Sequence, residues 1–208
     1  MHNSLSHLAE EQHEAVSAFS EWLVSSLSPT ICGSKPSTVL TMTDIRFQPL
    51  LALWRTYGKP ILTGSVIQFT TLYTSQERET VLFYRPAILE QCLFSKPHRK
   101  FFLQFGYPVT SGLASCLEVL QNRFQQCCPH EVGVLLGIPL KDVLGFMGLE
   151  NLPLTCRGEW CVYGNPDESL AAMKQYADDR IYVDGLLARG IAPQEILCGN
   201  LAELALAI

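Results

Sequence analysis

Ser65-Val66-Ile67-Gln68-Phe69-Thr70-Thr71-Leu72-Tyr73, then Thr74-Ser75-Gln76-Glu77-Arg78-Glu79, then Thr80-Val81-Leu82-Phe83-Tyr84, is the stretch whose reading decides the fold. Its outer segments are rich in β-branched and aromatic residues, which suit a pleated surface. The polar segment between them is a slightly long turn, so the whole reads as a β-hairpin. Working outward, Ser37–Met42 reads as a further short strand upstream and Glu159–Tyr163 as another far downstream. Most of the rest reads as helix. Leu5, Leu8, Ala15, Val16, Phe19, Trp22, Leu23 and Leu27 recur at three- and four-residue spacing and predict a helix over 5–27, ended by Ser28-Pro29. Further helices are predicted over 47–57 (closed by Gly58 and Pro60), 87–94, 97–105, 113–126, 129–136 and 140–146, the last two joined by Gly137-Ile138-Pro139. Asn165 reads as the N-cap of a helix reaching about Leu187, and 192–208 as a final apolar helix. The fold class is therefore α+β: a small, mainly antiparallel sheet of 37–42, 65–73, 80–84 and 159–163, packed by several helices. The reading gives a single domain over 1–184, with 185–208 a C-terminal helical extension packed on it or on a partner.

Composition narrows the function classes. The chain has 208 residues, 48% hydrophobic and 17% charged, enough to bury a sizeable core. Its formal net charge of -5 repels phosphate backbones, and Lys96, His98, Arg99 and Lys100 are too few to make a basic patch, so nucleic acid is not expected as a partner. No apolar run approaches the roughly 18–20 residues of a membrane span. Residues 1–15 carry three His and three Glu, unlike a signal peptide, which predicts a cytoplasmic protein. In that compartment the eight cysteines are expected as reduced thiols.

The segment Pro129-His130-Glu131-Val132-Gly133-Val134-Leu135-Leu136-Gly137-Ile138-Pro139-Leu140-Lys141-Asp142-Val143-Leu144-Gly145-Phe146 resembles the signature of an uncharacterised bacterial family, common in anaerobes and defined only as a domain of unknown function. Gly33–Ser37, Val81–Arg85, Gly106-Tyr107-Pro108 and Gly158–Gly164 are similar to other parts of the same family, so the resemblance covers about 15–182. It implies no activity, and it does not call for Cys127 or Cys128.

Within that segment, Pro129 suits a first helical position and Glu131 complements a helix dipole, so helix initiation accounts for both. It does not account for His130, which at a helix start can bind an anion or act as acid or base. His130 and Glu131 are accordingly the candidate catalytic pair. Lys35 and Arg85, at strand edges, are candidate cations for an anionic small molecule or cofactor, with Tyr107 and Trp160 as candidate ligand-binding aromatics. The competing reading makes the cations solvated and the aromatics core or groove residues. Glu131–Phe146 also has a helix–turn–helix outline, but one Lys and one Asp on the second helix do not read bases. Cys127, Cys128, His130, Cys156 and Cys161 lack the spacing of a zinc knuckle, and Cys128-Pro129 is a dipeptide also found at haem-responsive sites. No metal ligand set is assigned, and the cofactor stays open. So does the class: an enzyme or ligand-binding protein around His130, an accessory protein acting by protein contact or as a homodimer through 191–208, or a haem or metal binder.

Overall fold

A computed structural model of the chain describes residues 2–46, 48–199 and 201, with the backbone alone described for 2–9. The hairpin forms as strands β3 (Gln68–Thr74) and β4 (Arg78–Tyr84), running antiparallel with Gln68 opposite Tyr84 and a bulge between Thr71 and Tyr73. Its turn is closed by Ser75, whose N–H donates to the Arg78 carbonyl at 2.8 Å and whose Oγ accepts from the Arg78 N–H at 3.1 Å. On the other side of β4 lies β1 (Ser37–Ile45), and the two-residue β2 (Gln48–Pro49) pairs with β1, giving the antiparallel order β2-β1-β4-β3.

Central β4 explains why Val81-Leu82-Phe83-Tyr84 is apolar without alternation: both faces of the sheet are covered. Val81 and Phe83 belong to one core with α1 (His2–Cys32), α2 (Leu50–Leu62), α8 (Asp167–Ala188) and α9 (Pro193–Cys198). Leu82 and Tyr84 belong to a second core with α3 (Pro86–Phe94), α4 (Lys96–Gln104), α5 (Leu113–Phe124), α6 (Val132–Leu135) and α7 (Leu140–Phe146). Phe83 stacks edge-on against Trp54 of α2 at 5.2 Å between centroids, and Trp54 against Phe69 at 5.1 Å. The chain is thus a single α+β domain with a helical layer on each face of the sheet.

Three expectations need correction. Proline does not end the first helix: α1 continues through Pro29 to Cys32. The missing amide at Pro29 would orphan the Ser25 carbonyl, but the Ser28 hydroxyl donates to that oxygen at 2.6 Å. Gly58 and Pro60 likewise lie inside α2, because Gly58 packs on Trp54, where a β-carbon would collide with the indole. Finally, the 159–163 strand is not in the main sheet. It is β6 (Cys161–Tyr163), paired with the unforeseen β5 (Leu154–Arg157) in a separate two-stranded ribbon. Leu154-Thr155-Cys156-Arg157 is largely exposed, so it carries none of the burial pattern that marks a strand.

Position 185, the expected start of an extension, falls inside α8. Ile196 and Leu197 of α9 are fully buried in the first core, with Ile191 and Leu201 packed against it. The described part of the 191–208 segment therefore buries its apolar face against this domain; Leu204, Ala205 and Ile208 lie outside the described residues. Ile196→Ala is expected to lower stability by about 2–5 kcal/mol, the usual cost of emptying a buried aliphatic site. A urea unfolding midpoint equal to that of the unsubstituted protein would show that α9 does not pack as described.

Candidate functional site

The α6–α7 corner carries the site. Pro129 opens a short turn, the chain leaves α6 through Leu136 and Gly137, the latter at φ 77°, and Pro139 caps the start of α7. Gly137 turns the chain so tightly that the Tyr176 hydroxyl of α8 donates to its carbonyl at 2.9 Å. A cleft opens on each side of this corner, and Ile138 lines both.

The first cleft, about 330 Å³, lies between the corner and the β5–β6 ribbon. Its walls are mostly apolar (Val132, Leu136, Ile138, Val143), and its rings are His130, Phe146 and Trp160. His130 is exposed and meets Phe146 edge-on, with 5.1 Å between centroids. Trp160 is half-buried, and its indole Nε1 donates to Asp142 Oδ2 at 2.8 Å. With its only donor engaged, Trp160 offers the cleft nothing but hydrocarbon and ring face.

Asp142 is 1% exposed and is the node of this wall. It accepts from Lys141 Nζ (2.7 Å), the Tyr163 amide (2.8 Å), Ser169 Oγ (2.5 Å) and Trp160. Burial pushes its carboxyl upward, but the hydrogen bonds from Lys141, Ser169, Tyr163 and Trp160 outweigh it and hold it below the usual carboxylate range. Lys141 is saturated too, donating also to the Tyr163 carbonyl at 3.0 Å and to Ser169 Oγ at 2.8 Å. Neither charge is free for chemistry.

The structure does not gather the sequence candidates into one site. Of the expected group, only Trp160 joins His130 in the cleft. Glu131 turns inward, 1% exposed, accepting from the Tyr107 hydroxyl at 3.1 Å and forming a close ion pair with Arg123 at 2.5 Å, without the alignment of a hydrogen bond. Tyr107 itself is 1% exposed and packs on Phe102, and burial beside Glu131 pushes its phenol far up. Arg85 donates to the Ile31 carbonyl at 3.0 Å and so ties down the end of α1. Lys35 sits over the Tyr176 ring at 5.4 Å, and burial lowers its pKa, which Glu159 partly offsets. Neither cation lines the His130 cleft. Glu131, Tyr107, Arg85 and Lys35 each meet a partner within the fold and lie outside the lining of the His130 cleft.

Of the thiols, Cys128 and Cys161 line the cleft and Cys127 is exposed beside it. Burial, with Cys127 and Glu131 nearby, raises the Cys128 pKa, which favours the thiol over the nucleophilic thiolate. Among the described residues no group of three or more His, Cys, Asp or Glu side chains could hold a metal ion.

The second cleft, about 470 Å³, lies between the corner, α3, α4 and α8, and places Cys92 beside His98. The Cys92 sulfur lies 3.5 Å from His98 Nδ1. His98 Nδ1 donates to the Cys92 carbonyl at 2.8 Å, while the Cys92 thiol donates to the Val134 carbonyl at 3.4 Å, and burial raises the thiol to about 11.

The family model described as Protein of unknown function (DUF3793) matches residues 23–197. The chain belongs to this family. The DUF3793 match takes in both clefts; it begins at 23 rather than 15 and ends at 197 rather than 182, the bounds over which the motifs resemble a family of unknown function. No curated protein and no solved structure matches the chain.

Proposed function

We propose that this DUF3793 domain is a ligand-binding domain whose His130 cleft takes a flat, mostly apolar small molecule. The observation that carries the reading is the fixed Trp160 ring. A buried carboxylate holds the indole in place before any ligand arrives, so stacking on it costs little ordering. Phe146 and His130 supply the other rings, and His130 is the polar group at the edge of the ligand. A cleft lining without Lys or Arg favours a neutral ring system over the anionic ligand expected from the sequence. A binding role is preferred to catalysis because Asp142 and Lys141 are already saturated. In this reading Pro129–Phe146 is the family's own signature, and the protein works in a bacterial cytoplasm. No helix among the described residues is long and apolar enough to cross a membrane.

A second reading has one observation in its favour. Phe146, Leu149 and Leu154 are 54%, 51% and 44% exposed, and Phe146 lies at the cleft itself. That apolar surface also suits a protein partner that inserts a side chain into the cleft.

Native mass spectrometry of protein purified from its own host separates the two. The expected result is a bound small molecule, reduced about tenfold or more in Trp160→Ala, which removes the stacking wall. His130→Ala should also lose ligand while changing stability by no more than about 0.5 kcal/mol, since the side chain is exposed. Protein that arrives free of any small molecule but carries a stoichiometric polypeptide would favour the second reading and contradict the first.

A further inference from the structure

Six of the eight cysteines lie within helices or strands. Cys127 and Cys128 do not. They follow one another just beyond Gln125, the C-cap of α5, and lead directly into Pro129 at the start of the α6–α7 corner. Both are free thiols and both are exposed. The Cys127 N–H keeps a long bond of 3.3 Å to the Arg123 carbonyl of α5, while Pro129 on the other side is buried. Cys128 lines the His130 cleft. Two accessible sulfurs thus sit side by side, outside regular structure, at the rim of the site.

Adjacency decides what such a pair can do. No chain intervenes between the two residues, so joining them closes no loop, and each thiol meets the other at a far higher effective concentration than any second molecule. The bond is also a weak one. Neighbouring Cα atoms are about 3.8 Å apart across a trans peptide, short of the roughly 4.4–6.8 Å of an ordinary disulfide. The small ring is therefore strained, and a strained, exposed disulfide is easily reduced again. It cannot serve as a staple, but it suits a bond that forms and breaks with the redox state of its surroundings.

We infer that Cys127 and Cys128 form a redox-responsive dithiol, which small disulfides oxidise to a reversible bond between the two sulfurs at the rim of the His130 cleft. Burial holds Cys128 as the thiol, so the Cys127 thiolate attacks first. It takes one sulfur of the small disulfide, whose S–S bond breaks and releases one thiolate. Cys128 then loses its proton to solvent and attacks the Cys127 sulfur, and the second small thiolate leaves. The protein pair gives up two electrons and two protons, and the small disulfide leaves as two thiols. This chemistry holds whatever the cleft binds.

Arg123 and Lys141 bracket a tryptic peptide, 124–141, that contains these two cysteines and no other. The whole chain is reduced, freed of reductant, incubated with glutathione disulfide, alkylated with iodoacetamide and digested. The expected peptide carries no alkyl group and has the mass of the dithiol less two hydrogens. Dithiothreitol added before alkylation should restore both alkyl groups. Cys127→Ser or Cys128→Ser should abolish the closed species. Cys198→Ser removes an exposed thiol elsewhere and should leave its yield within about twofold. Any of three results for the unsubstituted protein overturns the inference: the peptide keeps both alkyl groups, it retains a glutathione, or either sulfur is joined instead to Cys161 or to a second copy of the chain.

Discussion

Asp142→Ala is expected to destabilise the protein by about 2–4 kcal/mol, because it strands a half-buried ammonium and several donors at once. Lys141, Trp160, Ser169 and the Tyr163 amide all donate to this one carboxylate, which is 1% exposed. Asp142→Asn keeps the shape but removes the charge opposite Lys141, and should lie between alanine and the unsubstituted protein. The same network sets a pH dependence. The folded-state pKa of Asp142 is lowered, so the folded state binds this proton less readily than the unfolded chain. Its stabilisation is complete above the unfolded value of about 4 and is lost as pH falls through the folded value. Urea midpoints measured across that acid range should fall less steeply for Asp142→Asn than for the unsubstituted protein. Parallel acid limbs would show that the carboxylate is not held as described.

Gly137→Ala is expected to cost about 2–5 kcal/mol, from two causes that add. At φ 77° an alanine enters the left-handed region, which costs about 1–2 kcal/mol. Its β-carbon would then press into the Tyr176 hydroxyl, well inside contact distance, and lie 3.0 Å from Pro36 Cδ. Overpacking of this kind costs about 1–3 kcal/mol. Tyr176 is 4% exposed and bonded to the very residue being changed, so it has little room to yield. Tyr176→Phe removes the colliding oxygen. The double variant should therefore lose less stability than the sum of the single changes. Additive losses would mean that strain at the backbone, rather than contact with α8, is the cost of the substitution.

How much of this was legible in the sequence follows from what each residue's pattern can encode. The β3–β4 hairpin and the α6–α7 corner were readable because their signals are local: β-rich runs around a polar turn, and Pro starts with a Gly stop. His130 was readable as the residue that helix initiation leaves unexplained. Asp142 was not, because its partners Trp160, Tyr163 and Ser169 lie 18, 21 and 27 residues away, and no spacing rule links them. Lys35 and Arg85 were singled out by their places at strand edges, but whether a cation faces a cleft or a helix end depends on how the layers pack. Glu131 shows the same limit: the first-turn position suits an exposed carboxylate, while tertiary packing turns it toward Tyr107 and Arg123. The β5–β6 ribbon was missed as a pair because an exposed strand has no burial pattern to read.

If the Trp160 ring is a wall fixed in advance for a flat ligand, the indole N–H signals of Trp22, Trp54 and Trp160 in ¹H–¹⁵N spectra will report it during titration with uncharged fused-ring probes such as 2-naphthol. In the free protein the Trp160 N–H should already be in slow exchange with solvent, because Asp142 holds it. Saturating probe should shift the Trp160 and His130 ring signals together, with Trp22 and Trp54 unmoved. A Trp160 N–H in rapid exchange, or a panel of such probes that leaves Trp160 and His130 unshifted, would contradict it.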